Sequence, residues 1–152
     1  MSWYKEANDK YDHIPESNKG GDCFTDAFEY IFQEGVLKGK NNLVIVHAII
    51  RPLMGELAGV EFGHAWVEDG DTIIDTSRNN EQIEKQNYYL FAGLLEMPTM
   101  ESQQFKIKTN KIKTYSVEDA KRLAVEHGYY GPWDNQFDDY VLDRGEDDPN
   151  KH

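Results

Sequence analysis

The stretch that most restricts the fold runs from Phe62 to Asp75, "FGHAWVEDGDTIID". Two runs rich in aromatic and β-branched residues flank an Asp-Gly pair, and such residues favour a pleated, half-buried surface. Asp-Gly in that setting predicts a two-residue hairpin turn, because its central residues must accept positive φ. With Asp69 and Gly70 as the loop, Glu68 pairs with Asp71, Val67 with Thr72, Trp66 with Ile73, Ala65 with Ile74 and His64 with Asp75. Directly opposed residues share a face with β-carbons about 5 Å apart. The expected register therefore sets an imidazole against a carboxylate, which would orient the ring and stabilise its protonated form. A slip of one residue would place the two on opposite faces.

A second strand is expected just upstream. "LVIVHAII" (Leu43–Ile50) is a continuous apolar run, the pattern of a strand covered on both faces. Arg51-Pro52 stops it, and Leu53 to Val60 is a connector of ambiguous type. Further upstream, Phe24, Ala27, Phe28, Ile31 and Phe32 fall at helical spacing and predict an amphipathic helix that Gly35 ends. Residues 77–95 read as a helix or a loop leading to a strand. "QQFKIKTNKIKTY" alternates like a half-exposed strand or ribbon. "SVEDAKRLAVEHG" is a helix with Ser116 as N-cap, Asp119 completing a capping-box-like pair and Gly128 as C-cap. "YYGPWDNQFDDYV" is an aromatic loop expected to pack back on the body.

The sole cysteine, Cys23, comes after Gly20 and Gly21 and falls in the first turn of the first helix. Backbone N–H groups there lack intrahelical partners, and the positive end of the helix dipole favours an anion. A thiolate is stabilised in such a place, and the thiolate is the nucleophile. Cys23 attacking a carbonyl carbon, His64 taking the thiol proton and Asp75 holding the ring would form an activated-thiol triad. Asn18 is the candidate for a second oxyanion donor, and Gly21 would let a substrate backbone come close. Each residue also has a structural reading. A lone cysteine is commonly a small buried hydrophobe. Asp75 can end its strand or cap a turn through Thr76-Ser77. Trp66 suits the core or the wall of the site. His47, mid-strand, is expected to be a buried, hydrogen-bonded structural histidine with no carboxylate opposite it.

Composition narrows the partners. The chain has 152 residues, 39% apolar and 29% charged, with a net charge of −12. That balance suits one globular domain and opposes a nucleic-acid ligand, whose phosphates it would repel. It permits a protein or peptide substrate that is basic. No segment is apolar and long enough to span a membrane, and the N-terminus lacks the apolar run of a signal peptide, so the expectation is a cytoplasmic protein. One cysteine excludes an intramolecular disulfide, and the five histidines lack metal-ligand spacing, so neither a metal nor another cofactor is expected. The expected organisation is one domain over residues 1–143 with an acidic tail, 144–152.

"GDC" before a helix, then a β-branched strand, "HAWVE", a short turn and "IIDTS" together resemble the core of the transglutaminase-like superfamily. That family shows Gly-x-Cys, His-Ala-Trp-Val-Glu and Asp-Pro-Thr, with a Cys-His-Asp triad on a papain-like α+β fold. The resemblance spans Gly20 to Ser77 and puts Cys23, His64 and Asp75 at the triad positions, with Gly21, Trp66 and Thr76 beside them. Thr76 stands where the family has proline, and the hairpin is shorter. The family includes cross-linkers, peptidases, amidases and inactive relatives, so the resemblance implies acyl-transfer chemistry rather than a substrate. "GGDCFTDAF" also resembles a segment of ovarian-tumour-type deubiquitinases, but their histidine lies near the end of the domain, which His64 does not match. The sequence thus predicts an α+β domain, its Cys23 helix packed on an antiparallel sheet that bears His64 and Asp75. The expected activity is a cysteine-dependent hydrolase or acyltransferase acting on an amide or isopeptide bond through a thioester. The alternative is a non-catalytic acidic binding or inhibitor protein, of the kind a virus or mobile element encodes, on the same fold.

Overall fold

The computed structural model describes residues 22–96, 100–101 and 106–137, and the architecture is mixed α+β. Among the described residues the order begins with a helix, α1 (Asp22–Tyr30), then β1 (Leu43–Ile50), β2 (Phe62–Asp69), β3 (Thr72–Asp75) and β4 (Glu81–Glu84). Next come α2 (Lys85–Phe91), the short strands β5 (Leu95–Glu96) and β6 (Lys106–Ile107), β7 (Ile112–Ser116) and α3 (Val117–His127). Five strands form an antiparallel sheet in the order β4-β3-β2-β1-β7, and β5 pairs with β6 separately. The expected tail, 144–152, lies outside the described residues, as do Asn18 and Gly21.

Alternation along the strands divides the apolar side chains between two cores, one on each face of the sheet. On one face, Phe24, Phe28, Ile31 and Phe32 of the first helical segment pack with Ile45, Val67, Ile74, Ala120 and Ala124. On the other, Val46, Ala48, Trp66 and Ile73 meet Tyr88 and Tyr89 of α2. Ile45 and Val46 thus belong to different cores, as a strand covered on both sides requires. The aromatic segment after α3 folds back onto the first core. Tyr130 and Phe137 are buried, and the Tyr130 ring lies 4.6 Å from that of Phe28. α3 has its expected ends. Ser116 Oγ accepts from the Asp119 N–H at 3.1 Å, and Gly128 adopts the left-handed conformation.

The first helix does not stop at Gly35. It continues through Ile31–Leu37 with wider turns, in which the Lys38 N–H reaches back five residues to Gln33 O. Gly35 is there for contact rather than termination: a Cβ on it would sit 2.9 Å from a Val117 methyl. The missing side chain lets α3 begin against this helix. The left-handed residue falls later, at Gly39.

The hairpin also differs from its expected register. Asp69 pairs with Thr72, Glu68 with Ile73 and Val67 with Ile74, so the loop is Gly70-Asp71. Gly70 takes positive φ, whereas neither Asp69 nor Asp71 does. That is the arrangement of a turn with glycine at its first central position, and it spares an aspartate the left-handed region.

Candidate active site

The shift of the turn changes who opposes whom but not who shares a face. Relative to the expected pairing the register moves by two residues, so parity survives. One step beyond Val67↔Ile74, Asp75 comes opposite Trp66. His64, two residues from Trp66, therefore stands diagonal to Asp75 on the same face rather than directly across from it. Its ring lies 6.0 Å from that of Trp66. Among the described residues no hydrogen bond or ion pair joins His64 to Asp75, and their interaction is through space.

Asp75 is buried and spends its oxygens on other donors. Oδ1 accepts from the Ser77 N–H at 3.1 Å and the Ser77 hydroxyl at 2.6 Å, which caps a short 3₁₀ turn, Thr76–Arg78. Oδ2 accepts from the Tyr88 hydroxyl of α2 at 3.2 Å. The capping role that the sequence allows Asp75 through Ser77 is thus present. Sequence reasoning misses Tyr88, because "KQNYYLF" reads only as part of a helix or of a loop leading to a strand.

Charge around His64 pulls in two directions. Burial lowers its pKa below the ordinary histidine value; the Asp75 carboxylate raises it and Arg78 lowers it. The net direction is down, so His64 is neutral at pH 7, the form that can accept a proton. Burial pushes the Tyr88 phenol well above its ordinary value; the Asp75 carboxylate adds to this, Arg78 opposes it, and Cys23 contributes least. Tyr88 therefore stays protonated and donates. It also lies within the electrostatic reach of both Asp75 and Cys23.

Cys23 sits half-buried in the first turn of α1, against the first core. His64 and Asp75 occupy the opposite face, with Trp66, Ile73 and Tyr88. The sheet is interrupted beside these groups. The β2–β3 ladder runs only from the turn to Val67↔Ile74, and β3 then leaves into the 3₁₀ turn. Along His64 no described strand pairs with β2 on that side.

Trp66, expected to be core or site wall, is wholly buried in the second core, and its indole N–H donates to Glu68 Oε2 at 3.1 Å. Glu68 also accepts from the Tyr89 hydroxyl and pairs with Lys85 Nζ at 3.1 Å, which satisfies a buried carboxylate. His47 is buried as expected but is not hydrogen-bonded. Neither ring nitrogen has a partner among the described residues. Phe24, Tyr115, Trp133 and Phe137 ring it at centroid distances of 4.8, 5.1, 5.0 and 6.2 Å. Burial drives its pKa down to about 3, so it is a neutral aromatic filler rather than a base. Among the described residues no cluster of side chains suits a metal ion, and no helix is long and apolar enough to cross a membrane.

Against known proteins, the chain matches no family model, no curated protein and no solved structure. What is defined is an α+β chain with a histidine and a carboxylate on one sheet face and a tyrosine that donates to that carboxylate.

Proposed function

We propose that this chain is a cysteine-dependent hydrolase or acyltransferase that acts on an amide or isopeptide bond of a protein or peptide, on a transglutaminase-like version of the α+β fold. Cys23 is the nucleophile, His64 the base and Asp75 the anion that biases the ring. The observation that carries this reading is Tyr88, whose hydroxyl bonds Asp75 at 3.2 Å and whose electrostatic surroundings include Cys23. One phenol thereby links the neighbourhoods of the sulfur and the carboxylate.

The proton on the Cys23 sulfur passes to neutral His64, and the sulfur bonds to the carbonyl carbon. The carbon–nitrogen bond breaks, and the amine leaves with the proton from His64. A thioester remains. Water then yields an acid, or a second amine yields a new amide, and Cys23 regains its proton. The helix start supplies backbone N–H groups for the oxyanion. Asp75 acts on His64 through its charge, since its hydrogen bonds go to Ser77 and Tyr88.

Those same hydrogen bonds favour a second reading, a non-catalytic acidic binding protein in which Asp75 only caps a turn. Intact-mass analysis with a panel of acyl-type thiol probes separates the two. The enzyme reading expects an adduct on the native protein at pH 7, absent from Cys23→Ala and slowed in His64→Ala. Labelling that occurs only after unfolding overturns it.

A further inference from the structure

After α3 the chain turns back over the sheet as a strap, residues 129–137, which carries no strand among the described residues. Local bonds hold its shape. The Trp133 indole N–H donates to Tyr129 O at 2.8 Å, and the Gln136 N–H donates to Asp134 Oδ1 at 3.0 Å. Its underside closes over His47 of β1. The Trp133 and Phe137 rings lie 5.0 and 6.2 Å from the imidazole, and a Cβ on Gly131 would meet His47 Cε1 at 2.5 Å. Phe24 of α1 and Tyr115 of β7 complete the cage at 4.8 and 5.1 Å. The imidazole is wholly buried, and among the described residues neither nitrogen has a partner. Such a cage accepts only the neutral ring. Protonation would make both nitrogens donors and bury a cation with no acceptor beside it.

We infer that the strap is an acid-released cover, lifted by protonation of His47 while the strands beneath stay paired. β1 is laddered to β2 on one side and to β7 on the other, so the strap is the part that yields. The neighbouring charges leave His47 as the trigger. Lys113 stands opposite His47 in the β1–β7 register and pairs with Asp134 of the strap at 3.4 Å. The Gln136 N–H, and then Lys113, hold Asp134 below its ordinary value of 3.8, so it stays ionised from pH 7 to 4.5. Burial pushes the Tyr115 phenol up to about 12, so it stays neutral over that range. α1 faces the ring with Phe24, β2 sets Ala65 opposite it, and the strap's remaining titratable groups are the phenols of Tyr129 and Tyr130. Burial lowers the pKa of His47 to about 3 under the strap, and a hydrated ring returns to 6.5. The open form therefore takes a proton that the docked form refuses. Opening becomes about tenfold more favourable for each pH unit below 6.5. Release parts Trp133 and Phe137 from the ring beside Phe24, which follows Cys23 in α1, and so loosens the packing at that end of the helix. The inference does not need the sulfur to react.

The test is hydrogen exchange of the full chain, followed by NMR between pH 7 and 4.5 with each rate corrected for intrinsic exchange at that pH. The Trp133 indole N–H and the amides of residues 136 and 137 report the strap. The Trp66 indole N–H, bonded to Glu68, reports the sheet. The strap should open more readily than the sheet at every pH, and its opening constant should rise by about 50- to 100-fold from pH 7 to 4.5. His47→Leu, or His47→Phe where the first does not fold, should remove that rise. Asp134→Asn should loosen the strap at every pH and leave the rise in place. Equal protection of strap and sheet, as a single global unfolding gives, overturns the inference. So does an opening constant indifferent to pH, a rise that persists without the imidazole, or one that vanishes with Asp134→Asn.

Discussion

The Tyr88 hydroxyl donates to Asp75 Oδ2 across 3.2 Å and so joins α2 to the last residue of β3. Asp75 is buried, and Ser77 supplies two further donors to it. Tyr88→Phe removes one of its charge-assisted bonds without leaving a space. The expected loss is about 1.5–3 kcal/mol of unfolding free energy, the usual worth of a hydrogen bond to a charged group. Urea denaturation measures it. A variant as stable as the parent would mean that Ser77 alone satisfies the carboxylate.

His47 predicts how the protein meets acid. Its ordinary pKa of 6.5 falls to about 3 in the folded chain through burial. Between those values the unfolded chain binds a proton that the native one refuses. The stability this group contributes is complete above about pH 6.5 and is lost as pH falls toward 3, at about 1.4 kcal/mol per pH unit. His64 is shifted in the same direction, so the slope is best read by difference. His47→Leu should lose stability less steeply with falling pH than the parent by one proton's worth. Equal slopes in chemical denaturation at pH 7, 6 and 5 would contradict a buried neutral ring.

The same ring makes Gly131 irreplaceable. Gly131 has φ of +114°, and a Cβ there would lie 2.5 Å from His47 Cε1. Gly131→Ala meets both backbone strain and a collision inside an aromatic cage. Destabilisation of about 2–5 kcal/mol is expected, and a smaller side chain at 47 should return part of it. Thermal unfolding of Gly131→Ala with and without His47→Ala gives the coupling directly.

For the proposed chemistry, the pH profile of Cys23 acylation is the informative measurement. His64→Gln should slow the reaction at pH 7 by about 10²–10⁴-fold, the range for a lost general base. Asp75→Asn keeps an acceptor for Ser77 but removes the charge that raises the His64 pKa. Its acid limb should therefore move to lower pH, not higher. A profile indifferent to both changes would leave Cys23 as an ordinary accessible thiol.

Much of this architecture is legible without any coordinates. The run Leu43–Ile50 has no polar alternation to offer a solvent-facing side, so only a strand covered on both faces suits it. Ser116, Asp119 and Gly128 announce both ends of α3 through local backbone chemistry. What escapes the sequence depends on partners distant along the chain. Gly35 looks like a helix stop until Val117 arrives against it. The hairpin loop moves by one position because a glycine-first turn relieves aspartate of positive φ, and the dipeptide alone does not reveal which side of the glycine the loop takes. His64 and Asp75 keep a common face because a shift of two leaves alternation intact. Tyr88 carries no signal at all, since an aromatic residue on a short helix is ordinarily filler. The missing bonds of His47 are illegible for the same reason: its neighbours are contributed by α1, β7 and the segment after α3.

Glu68 meets a phenol, an indole and an ammonium group at once, drawn from β2 itself and from two places on α2. Such a carboxylate behaves as a dowel. Sliding the helix by a turn would strip it of donors that water cannot replace without flooding the second core. The strand that carries His64 and the helix that carries Tyr88 must therefore travel as one piece, and any breathing of this molecule has to happen elsewhere.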